Sequence, residues 1–267
     1  MPTVAVLGCE LHYELTDLVP PWLSAPETIL FHHGLGSTSV IWAQWLPVLA
    51  DRFRIIIIRF DMRAHGQSKT PQADAPLTLN VLTDDVFAVA DTESIGGTIA
   101  LNAVSLHRPR LLSLAVSNGA HVGASIESVR DWREIIERSG MTGWSQHMMH
   151  QRFFDAAISA DMWQWYEREQ ASVSPDFLLA ALDVLVGTDL GPKLKTVDLP
   201  VLLMHGDSSP FIGIKVMADL KARLPRCRLQ VFAQARHGLP FSHAKECAAT
   251  LRRFLETNPE AQMSLSG

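Results

Sequence analysis

Short apolar runs alternate along the chain with segments in which apolar residues recur at helical spacing. The runs are rich in β-branched and aliphatic residues and end in loop residues; they cover 28–31, 54–60 and 201–204, and less clearly 111–117 and 229–232. Continuous apolar runs of this length are typical of strands buried on both faces, as in a parallel sheet. The helical patterns lie between them, at 42–50, 79–90, 98–107, 214–224 and 243–255. This alternation predicts a doubly wound, mostly parallel α/β sheet.

One long interval interrupts the alternation. About eighty residues separate the strands predicted at 111–117 and 201–204, far more than the dozen or so that a crossover needs. Helical patterns within it cover 125–139, 144–157, 160–169 and 175–186. We therefore expect an inserted helical cap at 121–190 on a core formed by 1–120 and 191–258, with a frayed polar tail at 259–267. The cap segment holds four of the seven tryptophans and four of the nine methionines, which as a group indicate an adaptable apolar lining.

Composition narrows the functional classes. A net charge of -5 over 267 residues gives no electrostatic footprint for nucleic acid or for an anionic membrane. No apolar run approaches the roughly 18 residues of a membrane span, and no secretory signal pattern is evident. The three cysteines are scattered, which suits reduced thiols and indicates no metal site. We expect a cytoplasmic protein that binds a small-molecule substrate, without metal or cofactor; its oligomeric state, a homodimer included, stays open.

Unusual residues follow four of the predicted strands, or open a helix beside them, at the sheet edge where open α/β sheets bind ligands. The segments are HHGLG at 32–36, DMRAHGQS at 61–68, ESIGG at 93–97 and ARHG at 235–238. Glycines in the first segment let backbone amides turn inward, as an oxyanion pocket requires. Serine is a poor nucleophile until a base takes its proton, so we expect Ser94 and His237 to lie close together.

These four motifs, in this order, resemble the α/β-hydrolase family, in particular its capped esterases and lactonases of the 3-oxoadipate enol-lactonase-like kind. The resemblance extends from about residue 11 to 255. It implies Ser94 as nucleophile, His237 as general base and an oxyanion hole formed by the main-chain amides of Leu35 and Ile95 beside Gly34.

The resemblance also implies an activity. A serine hydrolase of this kind cleaves a carboxylic ester or lactone of a small, largely apolar substrate through an acyl-enzyme. Hydrolysis of C–C bonds in ring-cleavage products uses the same constellation and is an alternative, as is a non-catalytic ligand-binding relative. Dehalogenases and epoxide hydrolases are disfavoured because those relatives have Asp where Ser94 stands.

The serine turn departs from the family pattern. The turn is normally G-x-S-x-G, but Thr92 occupies the first glycine position. The strand that feeds the turn, with its approach loop, needs roughly ten residues. Only two residues lie between Ala90 and Glu93. A central strand supplies hydrogen bonds to both neighbouring strands. We therefore interpret the sequence as lacking the front half of the motif that carries Ser94.

The acid of the triad is also displaced. The family usually has Asp three residues after the glycine of an HG-x-x-D pattern, where this chain has Ser209; Asp207 comes two residues earlier. We predict Asp207 as the acid, although a turn residue bonded to its own backbone is a rival interpretation. Asn118, whose carbonyl can orient a histidine, and another carboxylate such as Glu127 are the alternatives.

Other polar residues near these motifs have supporting roles in the prediction. We expect His33 to hold the oxyanion loop by hydrogen bonding, and His65 and Asp61 to brace the loop that follows strand 54–60. His243 is the alternative base. Two arginines, Arg63 and Arg236, are candidates for binding a substrate carboxylate. The alternative is that they are solvated or paired.

Overall fold

The computed structural model describes residues 2–22, 27–50, 55–69, 76–90, 97–107 and 111–258. Seven strands within these ranges form two sheets. The interpretations placed on Thr92, Ser94 and Ile95, and on the tail at 259–267, fall outside them. Cys9, Cys227 and Cys247 are all free thiols, as predicted.

The first sheet has four strands in the order β1-β2-β4-β3. β1 (Thr3–Val6) and β2 (Cys9–Asp17) form an antiparallel hairpin, and β2 pairs antiparallel with β4 (Ile55–Phe60). β3 (Glu27–His32) is parallel to β4. The strands predicted at 28–31 and 54–60 are confirmed in this sheet. The β1–β2 hairpin escaped prediction because it lies at the edge, is largely half-buried or exposed and so lacks a continuous apolar run.

The second sheet has three parallel strands in the order β5-β6-β7. They are β5 (Leu114–Ser117), β6 (Val201–Gly206) and β7 (Cys227–Phe232). Every residue of β6 is buried, which explains why its apolar run was the clearest of the three in the sequence. The mostly parallel α/β architecture predicted from the alternating pattern is therefore confirmed.

The two sheets are separate. Among the described residues, no strand pairs with β3 on the side away from β4, or with β5 on the side away from β6. Residues from both free edges, Ile29 and Phe31 on β3 and Ala115 and Ser117 on β5, line one cavity of about 660 Å³. No strand that could feed the serine turn occurs among the described residues, and its absence from the chain as a whole stays a prediction.

Helices cover both sheets. α1 (Leu46–Leu49) continues a 3-10 segment at Ser39–Trp45, and α2 (Leu79–Ala90) and α3 (Gly97–His107) flank residues 91–96. Three further helices follow strands of the second sheet. α7 (Ile214–Arg223) follows β6, and α8 (Leu239–Ser242) and α9 (Ala244–Glu256) follow β7. One apolar cluster includes Phe31 of β3, Met204 of β6 and Leu251 of α9. The two sheets are therefore joined through a shared core, where each buried aliphatic or aromatic side chain contributes about 1.5–3 kcal/mol.

Three helices lie between β5 and β6, in the segment predicted as a cap. They are α4 (Trp132–Arg152), α5 (Ala160–Ala171) and α6 (Pro175–Val186). The sequence pattern predicted two helices where α4 runs, and Gly140, with φ 65° and ψ -176°, kinks α4 between them. Ser159 and Ser174 cap α5 and α6, each accepting a backbone N–H with its side chain. α4 ends at Arg152, which hydrogen-bonds to the loops after β3 and β7.

Candidate active site

The loop after β3 presents a backbone donor that has no acceptor among the described residues. His33 is buried, and its Nδ1 lies 2.9 Å from the Gly34 carbonyl while its Nε2 accepts the Met62 N–H at 3.0 Å. Because Nε2 accepts, Nδ1 carries the proton and donates to Gly34. Within the described residues the Leu35 N–H has no hydrogen-bond acceptor. Leu35 and Gly34 line the cavity, as a predicted oxyanion donor and its neighbour must.

The next peptide of this loop is held at both ends. The Gly36 N–H donates to His65 Nε2 at 3.0 Å, and the Leu35 carbonyl accepts from Arg152 Nη2 at 2.7 Å. His65 Nδ1 lies 2.8 Å from the Arg63 carbonyl, so this histidine also carries its proton on Nδ1. The Leu35–Gly36 peptide is therefore fixed in orientation by one core residue and one residue of α4.

The loop after β4 is braced as predicted. Asp61 is buried and accepts the Ser39 N–H at 2.7 Å and the Gln67 N–H at 2.9 Å. His65 belongs to the same loop and reaches across to the loop after β3. The prediction that Asp61, His65 and His33 hold these loops is confirmed by the hydrogen bonds.

His237 lies in the loop after β7 and lines the same cavity as Leu35. Its ring packs edge-on against Phe211, with centroids 4.8 Å apart and an interplanar angle of 87°. Its Nδ1 lies 3.1 Å from Ser209 Oγ. The predicted base His237 and the predicted oxyanion donor Leu35, 202 positions apart in sequence, thus line one cavity.

The partner of His237 is a hydroxyl where the family pattern has a carboxylate. A carboxylate only accepts, so it forces the proton onto Nδ1 and leaves Nε2 free to act as a base. A hydroxyl both donates and accepts, and the Ser209 hydroxyl therefore permits either tautomer. Ser209 Oγ also lies 3.4 Å from the Ile212 N–H, which donates to it.

Asp207 has a different set of partners from the one we predicted. Its carboxylate accepts the Gln234 and Ala235 N–H groups at 3.1 and 3.3 Å and the Ser208 hydroxyl at 2.8 Å. In the described chain it makes no hydrogen bond to His237, whose Nδ1 is already occupied by Ser209. This geometry corrects the assignment of Asp207 as the acid, and it matches the rival interpretation of a turn residue.

Among the described residues Asn118 bonds the His205 ring and two backbone groups, and not the His237 ring. Its Oδ1 accepts from His205 Nδ1 at 2.9 Å and from the Gly206 N–H at 3.1 Å, and its Nδ2 donates to the His237 carbonyl at 3.0 Å. Asn118 has φ 47°, in the left-handed region that Asn tolerates. It ties the ends of β5 and β6 to the His237 loop. Glu127, the other alternative acid, is exposed.

Burial dominates the electrostatics of the site. It lowers the pKa of His65 to about 3 and that of His33 to about 4. Burial, followed by the effects of Arg152 and His205, lowers the pKa of His237 to about 3. The physical cause is the same in each case, because removing water disfavours the charged imidazolium. All three histidines are therefore neutral at neutral pH.

The predicted nucleophile Ser94 and the second predicted oxyanion donor Ile95 lie outside the described residues. The helix that follows them begins at the cavity, since Thr98 and Ile99 in the first turn of α3 line it. Thr98 Oγ1 donates to the Ala120 carbonyl at 3.0 Å. The roles of Ser94 and Ile95 remain predictions.

The two candidate arginines are paired. Arg63 forms a buried ion pair with Asp85 and donates to the Leu7 carbonyl at 2.7 Å. Arg236 donates to the His150 carbonyl and lies over the Phe154 ring, 4.3 Å from its centroid. The structure thus favours the interpretation of paired side chains over a substrate-carboxylate site.

His243, the alternative base, lies at the start of α9, and its Nδ1 is 2.9 Å from Ser242 Oγ. It is absent from the residues that line the cavity. In the part of the chain that the structure describes, no group of three or more His, Cys, Asp or Glu side chains is arranged to hold a metal ion. Over the same residues, no helix has the length and apolarity to cross a membrane.

Sequence reasoning missed two residues of this site. Arg152 and Gln170 are both buried and face the oxyanion loop from the cap helices. No local pattern marks them, because their role depends on how α4 and α5 lie over the loop. Ser209 did have a signal, namely its position three residues after Gly206.

The chain belongs to the alpha/beta hydrolase family, which it matches over residues 29–250. It is 27% identical to pimeloyl-[acyl-carrier protein] methyl ester esterase from Vibrio campbellii, over 81% of this chain and 89% of that protein. That alignment runs over 233 positions but includes only 81% of the 267 residues here. The relative therefore has residues that stand opposite gaps in this chain.

Solved structures share the fold. The enol-lactonase from Burkholderia xenovorans LB400 superposes with a TM-score of 0.81, at 23% identity over 96% of this chain and 100% of that one. An esterase from Thermogutta terrifontis gives a TM-score of 0.80, at 19% identity over 96% and 97% of the two chains. The predicted alpha/beta hydrolase family and the predicted fold are confirmed.

Proposed function

We propose that this protein is a serine hydrolase that cleaves a carboxylic ester or lactone, with Ser94 as nucleophile and His237 as base. One observation carries the proposal: the Leu35 N–H and the His237 imidazole lie on loops that line the same cavity. A donor and a base on one cavity are the two groups that an activated serine needs. The similar proteins named as an esterase and an enol-lactonase support this reaction class.

In the proposed reaction, Ser94 Oγ attacks the acyl carbon while His237 Nε2 takes the hydroxyl proton. The negative charge that forms on the carbonyl oxygen is stabilised by the Leu35 N–H, with the Ile95 amide as the second donor. The imidazolium then gives its proton to the leaving alcohol. Water repeats the sequence on the acyl-enzyme and releases the acid. The step needs the Nε2-free tautomer, which Ser209 permits but does not enforce.

The cavity favours a largely apolar substrate. Its lining on the cap side includes Trp132 and Met148, and on the core side Phe31 and Phe211. Apolar walls with few polar groups are typical of small-molecule sites. We therefore propose a small acyl ester or lactone whose only strongly polar part is the reacting carboxyl group.

The test is hydrolysis of a series of 4-nitrophenyl esters and of small lactones by the wild-type chain and by Ser94→Ala. We expect Ser94→Ala and His237→Ala to lose nearly all activity. Ser172→Ala, at the exposed end of α5, is the matched control and keeps it. Full activity in Ser94→Ala disproves the assignment of the nucleophile.

A ligand-binding relative without catalysis is the second candidate. Two observations favour it: a hydroxyl replaces the carboxylate beside His237, and the described strands form two separate sheets. A fluorophosphonate probe separates the candidates, because it labels only an activated serine. A folded protein that stays unlabelled, yet binds apolar esters with a change in tryptophan fluorescence, supports the binding function.

A further inference from the structure

Arg152, the last residue of α4, contacts both loops of the candidate site. Its Nη2 donates to the Leu35 carbonyl at 2.7 Å, in the loop after β3. Its own carbonyl accepts the Gly238 N–H at 2.9 Å, in the loop after β7. These loops follow strands of different sheets, and no sheet hydrogen bonds join the two sheets within the described residues. Arg152 thus provides a direct hydrogen-bonded link across the cavity between the oxyanion loop and the base.

A buried polar network fixes the guanidinium itself. Arg152 Nε donates to Gln170 Oε1 at 2.6 Å, and Gln170 Nε2 donates to the Ser145 carbonyl and hydroxyl at 3.1 and 3.0 Å. Arg152 is 6% exposed, while Gln170 and Ser145 are fully buried. A rigid planar fork that is held at Nε points Nη2 in one direction only. The network therefore fixes the Leu35 carbonyl relative to α4 and α5.

The charge of Arg152 is unusual for its surroundings. Within the described chain it forms no ion pair, and its hydrogen-bond acceptors are two neutral oxygens. Burying a charge without a counter-charge is costly, so packing alone is a poor reason for an arginine here. The guanidinium does, however, bond the carbonyl of Leu35, the residue whose N–H is the predicted oxyanion donor. It also contributes, after burial, to the low pKa of His237.

Close packing at Gly36 maintains this contact. Gly36 has φ 70°, and a Cβ added there would lie 3.1 Å from Gln170 Cγ, 3.2 Å from Trp144 Cη2 and 3.3 Å from Arg152 Nη2. The cap residues therefore rest directly on the backbone of the oxyanion loop. A side chain at this position would push the network away from the Leu35 carbonyl.

We infer that Arg152 is a positioning residue: it fixes the Leu35–Gly36 peptide so that the Leu35 N–H faces the cavity at a set distance from His237. His65 holds the N–H of this peptide and Arg152 holds its carbonyl. The inference rests on the proposed function for its catalytic consequence, but the structural restraint itself is independent of any reaction. The helices predicted as a cap thereby complete the oxyanion site as well as cover it.

The test compares Arg152→Met, Arg152→Lys and Gln170→Leu with the wild-type chain. Arg138→Met, exposed on the same helix, is the matched control. Three quantities are measured: kcat and KM for a 4-nitrophenyl ester, the inhibition constant of a boronic acid, and the hydrogen-exchange rate of the Gly36 amide. The boronic acid probes the tetrahedral state, and the exchange rate reports the restraint without catalysis.

We expect Arg152→Met to lower kcat by about 10- to 100-fold, with KM changed by less than about threefold. The boronic acid should bind more weakly in the same proportion, and the Gly36 amide should exchange at least about tenfold faster. Gln170→Leu should have a smaller effect, and adding it to Arg152→Met should have no further effect because both act through one network. Lysine should not restore kcat, because an ammonium cannot hold both acceptors at once.

Three outcomes overturn the inference: an unchanged Gly36 exchange rate in folded Arg152→Met, full recovery of kcat in Arg152→Lys, or an equal loss in Arg138→Met. If Arg152→Met does not fold, Arg152→Lys keeps the charge and the aliphatic stem and decides the question by the same two readouts. If the wild-type chain hydrolyses no ester, the proposed function fails, and the exchange rate alone decides whether Arg152 restrains the loop.

Discussion

The two sides of the cavity differ in how firmly their functional groups are held. On the side of the first sheet, His33 and His65 each accept a backbone N–H through Nε2 and donate to a backbone carbonyl through Nδ1. Each ring is thus restricted to one tautomer and one orientation. On the side of the second sheet, the Ser209 hydroxyl is the one hydrogen-bond partner of the His237 ring among the described residues, and the ring packs edge-on against Phe211.

The difference shows which half of the chemistry is preorganised. Stabilising an oxyanion requires a donor that is already oriented before the charge forms, and the loop after β3 meets that requirement. Acting as a base requires a histidine with the proton on Nδ1, and the partner of His237 does not impose it. Four predictions test this contrast, in order of decreasing expected effect.

The largest expected effect is a loss of stability in acid that comes from the ordered side. His33 and His65 are buried and have pKa values of about 4 and about 3, below the unfolded value near 6.5. The unfolded chain therefore binds protons that the folded chain does not as the pH falls below about 6.5. The contribution of neutral His33 and His65 to the free energy of unfolding is therefore full above that pH. It is lost towards pH 4, at about 1.4 kcal/mol per pH unit for each histidine.

Denaturant unfolding between pH 8 and 5 measures the total loss of stability. His33 and His65 should account for about 4 kcal/mol of it by pH 5, and His237 adds its own share because its pKa is also about 3. His65→Gln removes one titrating group, so its slope should fall by about one proton. His243→Asn lies outside both loops and is the control. A free energy of unfolding that stays constant from pH 7 to 5 contradicts the assignment of neutral, acceptor histidines.

The second prediction completes the weaker side. Ser209→Asp places an acceptor-only carboxylate beside His237 Nδ1, which fixes the catalytic tautomer and stabilises the imidazolium. Loss of the correct tautomer costs about 10⁴-fold in the well-studied triad of another fold, so we expect kcat to rise by about 100-fold here. The carboxylate also raises the pKa of His237 from about 3, which moves the acid limb of the pH–rate profile upward.

The measurement is kcat against pH for the wild-type chain, Ser209→Asp and Ser208→Asp. The wild-type profile should stay flat down to about pH 4 because His237 is neutral there. Ser208→Asp adds the same charge one residue away, where the side chain faces Asp207, and should leave the profile unchanged. Identical profiles for all three proteins contradict the proposed role of position 209.

The third prediction loosens the ordered side. His65→Phe keeps most of the ring volume but leaves the Gly36 N–H without its acceptor. An unsatisfied buried donor costs about 1–3 kcal/mol, and we expect the free energy of unfolding to fall by that amount. We also expect kcat to fall by about tenfold because the Leu35–Gly36 peptide, and with it the Leu35 N–H, is less well oriented. Unchanged kcat in a folded variant shows that this clamp has no catalytic role.

The smallest effect is expected at Asp207. Although burial raises its pKa, hydrogen bonds from Ser208, Gln234 and Ala235 lower it overall. Asp207→Asn replaces one carboxylate acceptor by an amide donor, so we expect a loss of about 1 kcal/mol in the free energy of unfolding. The position of the acid limb of the pH–rate profile should not move. A clear shift in that limb restores Asp207 as the acid.

The buried strands and most helices of this protein were predicted from the sequence, because buried positions are occupied by apolar residues. β4 and β6 are buried strands and have continuous apolar runs, so both were predicted from the chain alone. Only residues 42–45 of the 3-10 segment at Ser39–Trp45 fell within a predicted helix, at 42–50. The two helix types share an amphipathic pattern over a short span. The β1–β2 hairpin had no continuous apolar run and was missed.

The candidate site was predicted in part. Glycine-flanked loops at strand ends are a local signal, so His33, Gly34, Leu35 and His237 were named correctly as neighbours of one cavity. The partner of His237 was not, because Asp207 and Ser209 differ by two positions in one loop. Which of them reaches the ring depends on the path of that backbone, where the Gln234 and Ala235 amides take up the Asp207 carboxylate.

The sequence by itself determined the alternation of the buried strands with helices, the family and the residues at the cavity edge, since each rests on residue types within a short stretch. Only the tertiary structure decided that the described strands divide into two sheets, that a hydroxyl faces His237, and that Arg152 joins the two loops. The last two features are contacts between residues 28 and 117 positions apart. The energy of such contacts depends on direction and distance, which a linear pattern does not record.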